Sequence, residues 1–203
     1  MEKFRIEGPI KLCGDVSISG AKNSILPILF MTLLTKETIV LKNVPKIQDV
    51  CVSLKLLGQF GAHIIYEKST IYISNKNINV YYTPVIFRFM KLIRASIWIL
   101  GPLLSRIGTA KMSYPGGCSI GIRPIDLHIY GLEKMGAFFL FEKDFITASV
   151  KDRLYGSYIK MKKISVGATI NIMSAATLAI GITIIDFASC EPEVVDVANF
   201  LLC

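Results

Sequence analysis

The stretch Tyr114-Pro115-Gly116-Gly117-Cys118-Ser119-Ile120-Gly121-Ile122-Arg123-Pro124 sets a thiol in a glycine-rich loop with a guanidinium five residues on. Glycine lacks the Cβ that restricts the backbone, so such a loop can fold tightly over a small anion and offer it backbone amides. A fixed positive charge favours a nearby thiolate. An accessible thiol of low pKa can donate a proton, attack an electrophile or be alkylated. Arg123 is the cation at hand, and phosphate is a natural bidentate partner for it. The same residues also fit a plainer description, a turn between a strand and a helix with Cys118 as a small apolar residue. Local chemistry alone leaves both readings open.

Three further loops share a character: Gly20-Ala21-Lys22-Asn23, Arg94-Ala95-Ser96 and Ser165-Val166-Gly167-Ala168-Thr169. Each leads into an apolar helical run, and at a helix start the free backbone N–H groups and the helix dipole attract anions. Brought together by threefold pseudo-symmetry, the three starts would converge on one surface. Ordinary N-capping by Asn23, Ser96 and Thr169 is the competing explanation.

The elements that must position these loops form a unit used three times: an apolar helix, a strand, a loop, a second helix opened by an acidic residue, then a Gly-Ala turn and a hairpin. In the first unit the pattern predicts a helix over 24–34, with Pro27 in its first turn, and a β-branched strand over 38–41. Asp49 opens the second helix, whose apolar face carries Val52, Leu56, Leu57 and Phe60. Gly61-Ala62 ends it, and 63–66 with 70–74 predict a hairpin. The second unit repeats this as a helix over 97–104, a strand over 109–113, the Cys118 loop, a helix opened by Asp126, the turn Gly136-Ala137, and a hairpin of 138–141 with 145–150. The third has a helix over 170–179, a strand over 183–186 and a helix over 193–202, with Asp196 in the acidic position. The two Gly-Ala turns recur at a spacing of 75 residues, which points to a domain of three βαβ-type units. By the repeat's own logic a turn and hairpin should follow Cys203, so the C-terminus reads as truncated.

Composition narrows the partners. With 203 residues and a hydrophobic fraction of 52%, the chain can bury a core and is not a disordered segment. No apolar run reaches the roughly 18 to 20 residues that span a bilayer; the best stretch, 95–104, has Arg94 before it and Pro102 inside it. The opening Met1-Glu2-Lys3-Phe4-Arg5 lacks the apolar core of a secretory signal, so a soluble cytoplasmic protein is expected. Cys13, Cys51, Cys118, Cys190 and Cys203 form an odd, scattered set that fits neither a disulfide framework nor a zinc site. His63 and His128 stand alone and read as surface or capping residues, so no metal site is expected. A net charge of +8 favours an anionic partner. The basic residues are spread out and match no nucleic-acid-binding pattern, which favours a phosphorylated metabolite over nucleic acid.

Gly8-Pro9, Ser19-Gly20-Ala21-Lys22-Asn23, Arg94-Ala95-Ser96-Ile97-Trp98, Pro115-Gly116-Gly117-Cys118, Gly121-Ile122-Arg123-Pro124-Ile125-Asp126-Leu127-His128, Ser165-Val166-Gly167-Ala168-Thr169 and Glu191-Pro192-Glu193 closely resemble the UDP-N-acetylglucosamine 1-carboxyvinyltransferases of the enolpyruvyl transferase (EPSP synthase) superfamily. The resemblance runs from Met1 to about Leu202. It implies an inverted α/β barrel of two domains, each of three βαβαββ repeats, with the active site between them. This chain then holds one such domain, 22–203, with repeats at about 22–75, 92–150 and 163–203 and the third incomplete; 1–21 are strands of the other domain.

The resemblance also implies a reaction, the transfer of the enolpyruvyl group of phosphoenolpyruvate to the 3-hydroxyl of UDP-N-acetylglucosamine with release of phosphate. That is the first committed step of peptidoglycan synthesis, on which cell shape and division depend. It needs no cofactor. Cys118 matches the general acid, which can also form a covalent adduct with phosphoenolpyruvate and is the target of the antibiotic fosfomycin. Lys22, Asn23 and Arg123 match positions that hold phosphoenolpyruvate; Arg94, Arg123, Pro124, Ile125, Asp126, Leu127, Lys163, Ile164, Ser165 and Val166 match positions that bind the UDP-sugar. The family's base aspartate and several arginines lie beyond residue 203, with a separate chain as one conceivable source. Two alternatives stand beside this reading: a non-catalytic fragment that retains UDP-sugar binding, and the shikimate-pathway enolpyruvyl transferase, which is not expected to carry this Pro-Gly-Gly-Cys loop.

Overall fold

The structure is a computed structural model that describes residues 3–114 and 124–203. Its helices are α1 (Lys22–Met31), α2 (Gln48–Gln59), α3 (Pro84–Leu92), α4 (Leu100–Ile107), α5 (Asp126–Lys134), α6 (Val166–Ala176) and α7 (Pro192–Leu201). Short 3₁₀ stretches, Thr32–Leu34 and Arg94–Ile99, follow α1 and precede α4. The strands are β1 (Thr38–Leu41), β2 (His63–Glu67), β3 (Thr70–Ser74), β4 (Thr109–Ser113), β5 (Ala137–Phe141), β6 (Phe145–Val150), β7 (Tyr158–Lys160) and β8 (Ile184–Asp186).

The repeat is visible in the strand pairing. The first two units each form a three-stranded antiparallel sheet in which the second hairpin strand is central, β1-β3-β2 and β4-β6-β5. Thr38 faces Ser74 and Leu41 faces Ile71 in one; Thr109 faces Ser149 and Ser113 faces Phe145 in the other. The third unit contributes a parallel pair, β7 and β8, joined through α6. Both Gly-Ala turns behave as expected: Gly61 and Gly136 sit at φ of +91° and +98°, a region that L side chains avoid.

Burial explains why the helix following each anion-type loop is so apolar. Along α1 the residues Ser24, Ile25, Leu26, Pro27, Leu29, Phe30 and Met31 are all buried, and α6 buries Ala168 to Asn171 on successive positions. A helix that is apolar all round is enclosed by protein, and these two sit with α4 inside one continuous core. The outer helices α2 and α5 bury one stripe each, Val52, Leu56 and Leu57 in α2 and Leu127, His128 and Leu132 in α5.

Several links fasten unit to unit. Arg106 on α4 donates to the carbonyls of Leu33, Thr35 and Asn75 at 2.6, 2.9 and 2.9 Å, clamping the second unit onto the first. The Tyr82 hydroxyl accepts from the Lys111 amide at 2.7 Å, and burial raises its pKa to about 12, so it stays protonated. On α1, Ser24 Oγ donates to Asp196 of α7 at 2.5 Å.

Some expectations need correcting. The helix expected over 24–34 starts at Lys22, so Pro27 is its sixth residue and removes the bond to the Asn23 carbonyl. The helix expected over 97–104 divides into a 3₁₀ stretch and α4; that expected over 170–179 begins at Val166 and ends at Ala176. Helix α3 and strand β7 were not expected. The first is announced by Thr83, whose side chain accepts from the Ile86 amide, and by Pro84 at the first helical position. The acidic first-turn residue of α7 is Glu193, not Asp196.

Residues 3–20 form no strand or helix. Their apolar side chains fall on even positions, and Phe4, Ile6, Leu12, Val16 and Ile18 are all more than 80% exposed. That alternation is the pattern of a strand with one face meant for a core.

Candidate functional site

A cleft of about 510 Å³ opens where the first turns of five α-helices meet. Asn23 comes from α1, Asp49 from α2, Asp126 to His128 from α5, Val166 and Gly167 from α6, and Glu193 from α7. Arg94, Ala95, Ile97 and Trp98 of the second 3₁₀ stretch, Pro124, Lys163 to Ser165 and the apolar Leu26, Leu92 and Ile93 complete the wall. Each helix start presents backbone N–H groups that no helical carbonyl can accept, so the convergence makes a surface suited to anions.

The three anion-type loops therefore do meet. Capping by Asn23, Ser96 and Thr169 is not what organises them. Asn23 lies inside α1 after Ala21 at the cap, and it donates to Glu193 Oε1 at 3.4 Å. Ser96 Oγ donates to the carbonyls of Met90 and Ile93. Thr169 Oγ1 accepts from the Ser189 amide, while the N-cap of α6 is Ser165, which accepts from the Ala168 amide.

Of the residues singled out from sequence, Asn23, Arg94, Pro124, Asp126, Leu127, Lys163, Ile164, Ser165 and Val166 all line the cleft. Lys22 stands beside it, in an ion pair of 2.6 Å with Asp49 Oδ2. Ile125 packs half-buried against the core instead. Cys118 and Arg123 lie outside the described residues.

The cleft's charges are mixed. Lys22, Arg94 and Lys163 supply positive charge, and Asp49, Asp126 and Glu193 occupy first turns where helix dipoles favour carboxylates. The exposed Lys22–Asp49 pair is worth little to stability. It holds the Lys22 ammonium against Asp49, which lines the cleft.

His128, expected at the surface or as a cap, is only 4% exposed and forms part of the cleft wall. Its Nδ1 lies 3.1 Å from Asn171 Nδ2. Burial first, then the Arg94 charge, lower its pKa to about 4 against the opposing pull of Asp126. The ring is uncharged near neutral pH. Trp98 Nε1 donates to the Gly167 carbonyl at 3.1 Å and joins the 3₁₀ stretch to the start of α6. Asp49, Trp98, His128, Gly167 and Glu193 were not read as site residues from sequence. Asp49 and Glu193 had a usable signal, the same first-turn position in equivalent helices; Trp98, His128 and Gly167 stand inside the quoted motifs, but nothing there gave them individual roles.

An architecture of repeated α/β units, with helix starts gathered around one cleft of mixed charge, is that of the enolpyruvyl transferases. The chain belongs to this family: a family model described as EPSP synthase (3-phosphoshikimate 1-carboxyvinyltransferase) matches residues 6–202. Among curated relatives, the UDP-N-acetylglucosamine 1-carboxyvinyltransferase of Baumannia cicadellinicola is 54% identical over 202 residues, covering 100% of this chain and 48% of the relative. The enzyme of that name from Wigglesworthia glossinidia is 55% identical with the same coverage. The chain thus spans about half the length of the curated relatives it matches. Among solved structures, the enolpyruvyl transferase NikO of Streptomyces tendae superposes with a TM-score of 0.79 at 19% identity, over 94% of this chain and 44% of NikO. An EPSP synthase of Acinetobacter baumannii gives 0.69 at 16% identity, over 89% of this chain and 42% of its own. At such identities these two support the fold alone.

Proposed function

We propose that this chain is the cysteine-loop half of a UDP-N-acetylglucosamine enolpyruvyl transferase. The observation that carries the reading is the cleft. Arg94, Pro124, Asp126, Leu127 and Lys163 to Val166 come from separate parts of the sequence and share one wall, in a chain 54% identical to enzymes of that name. UDP-N-acetylglucosamine binds there, with Arg94 and Lys163 facing its diphosphate and the Asp126 and Ser165 helix starts offering amides. Lys22, Asn23 and Arg123 hold phosphoenolpyruvate.

In the reaction the Cys118 thiol protonates the methylene carbon of phosphoenolpyruvate. The adjacent carbon, made electron-deficient, bonds to the 3-oxygen of the sugar as that hydroxyl loses its proton to a base. Loss of a proton from the new methyl group and departure of phosphate then regenerate the double bond. The base and further cations for the phosphate and carboxylate come from the half of the relatives that this chain does not span. Residues 1–21, with their alternating apolar face, join the sheet of that second domain. The chain acts in the cytoplasm; among the described residues no helix is long and apolar enough to cross a membrane.

Phosphate release from phosphoenolpyruvate and UDP-N-acetylglucosamine tests this directly. The chain alone shows no turnover, adding the complementary half of a relative as a second chain restores it, and Cys118→Ser abolishes it again. Turnover that survives Cys118→Ser, or that never appears with the complementary half, overturns the reading. Fosfomycin offers a second readout. Cys13, Cys51, Cys190 and Cys203 are all exposed, so access does not discriminate among them. In the complemented enzyme with UDP-N-acetylglucosamine present, peptide mass mapping finds one adduct, on Cys118; equal labelling of the exposed thiols contradicts the assigned role.

The residues proposed to hold the nucleotide sugar all lie within this chain, which favours one partial activity. Nucleotide-sugar binding should persist without turnover, seen as a thermal transition raised by UDP-N-acetylglucosamine.

A further inference from the structure

Asn171, on the buried face of α6, makes contacts with three other segments. Its Oδ1 accepts from the Gly101 amide at 2.8 Å, and its Nδ2 lies 3.1 Å from both the Ile97 carbonyl and His128 Nδ1. A side-chain amide can usually be turned over without visible consequence, but here the backbone removes the choice. Gly101 N–H can only donate and the Ile97 carbonyl can only accept, so oxygen must face Gly101 and nitrogen must face Ile97 and His128. The amide's two hydrogens are then both committed. His128 Nδ1 can only be the acceptor, and the proton of the neutral ring must sit on Nε2.

That second nitrogen faces the other way. A Cβ built on Gly167 would lie 3.1 Å from both Cε1 and Nε2 of His128, so this edge of the ring lies against the first turn of α6, where Gly167 lines the cleft. Among the described residues Nε2 has no hydrogen-bond acceptor. The charged groups around the ring are Arg94 on the 3₁₀ stretch and Asp126 on its own helix; Lys163, Asp49 and Glu193 also line the cleft. α6 contributes no charge at this contact, only the Asn171 amide.

We propose that Asn171 is a positioning residue for the cleft: it locks His128 as the neutral tautomer with Nε2–H directed at the start of α6, a preset donor for a ligand oxygen. The ligand class follows from the surroundings, an anionic or carbonyl oxygen held jointly by Nε2–H and the amides of α6. Gly167 is glycine in part because a side chain there would press on that edge. The assignment of the oxygen to UDP-N-acetylglucosamine rests on the proposed function; the tautomer does not.

The chain has two histidines, so 15N-histidine labelling gives two ring patterns, with exposed His63 as an internal reference. At pH 7, without ligand, His128 should show the pattern of a protonated Nε2 and a bare Nδ1, and should not titrate between pH 5 and 8. Asn171→Asp keeps the shape but replaces the donor by an acceptor, so it should draw a proton to Nδ1 and move the His128 midpoint up by at least tenfold in proton affinity. An Nδ1–H pattern in the unsubstituted chain, or titration of His128 between pH 5 and 8, overturns the proposal without any variant. So does a folded Asn171→Asp with an unchanged spectrum. A UDP-N-acetylglucosamine titration then tests the ligand: the Nε2–H resonance should shift on binding, with affinity reduced about tenfold in Asn171→Asp. A correct tautomer with no response to the nucleotide sugar removes the ligand assignment and leaves the positioning role standing.

Discussion

His128 shows how one residue can couple the cleft to stability. Its pKa falls from an unfolded value near 6.5 to about 4, chiefly through burial and secondarily through Arg94. Between those values the unfolded chain binds a proton that the native chain refuses, so unfolding is favoured as pH drops. The full native stability is present above pH 6.5. It declines by about 3 kcal/mol on going to pH 4 and does not decline further from this source below that. Urea midpoints at pH 7, 5.5 and 4.5 should follow this course, and His128→Gln should flatten it. An equally steep decline in that variant would assign the pH sensitivity elsewhere. From the sequence alone His128 was an isolated imidazole after Asp126-Leu127, and a surface position was the natural reading. Nothing local reveals that Asn171 lies against it, because that contact joins residues 43 positions apart.

At the scale of elements, the site depends on how closely α4, α5 and α6 approach one another. Two glycines set those distances with different tolerance. A Cβ on Gly101 would meet the Asn171 carbonyl at 2.5 Å and its Oδ1 at 2.8 Å, groups that are already bonded and cannot move aside. The nearest atoms to a Cβ on Gly131 belong to the Ile172 side chain, which is not held by a hydrogen bond. Gly101→Ala should therefore cost about 3 kcal/mol, and Gly131→Ala about 1 kcal/mol after the helix-propensity gain. Chemical denaturation ranks them; equal costs would mean that α4 and α6 are not held at this separation. Strands were the most legible elements. β1, β3, β4 and β6 fall on the residues the repeat predicts, because in short strands bounded by turns local pattern and pairing agree. The starts of α1 and α6 were less legible, by two and four residues, since their first turns carry Lys22, Asn23 and Val166, which read locally as the ends of the preceding loops. α3 was missed although Thr83 and Pro84 announce it, because the threefold repeat has no place for it.

For the whole molecule, the described residues form one core built from three similar units, with a leading segment that does not share in it. Residues 3–18 leave their apolar side chains in solvent. Deleting them should change the unfolding free energy of the remainder by less than about 0.5 kcal/mol, measured by urea denaturation, and should lower the tendency to aggregate. A large loss of stability would show that the segment packs on this domain in solution. By itself the sequence determined the repeat, the two Gly-Ala turns, the family, and a set of polar loop residues with chemistry in common. These follow from local physics: side-chain period, turn geometry and the bonding capacity of each residue type. The tertiary structure alone decided that first turns of helices from all three units face one cleft, that Glu193 and not Asp196 stands there, and that Asn171 sets which nitrogen of His128 carries the proton. Each of these depends on contacts between residues far apart in the chain, which local pattern does not encode and which only the packing of α1, α4 and α6 into one core brings about.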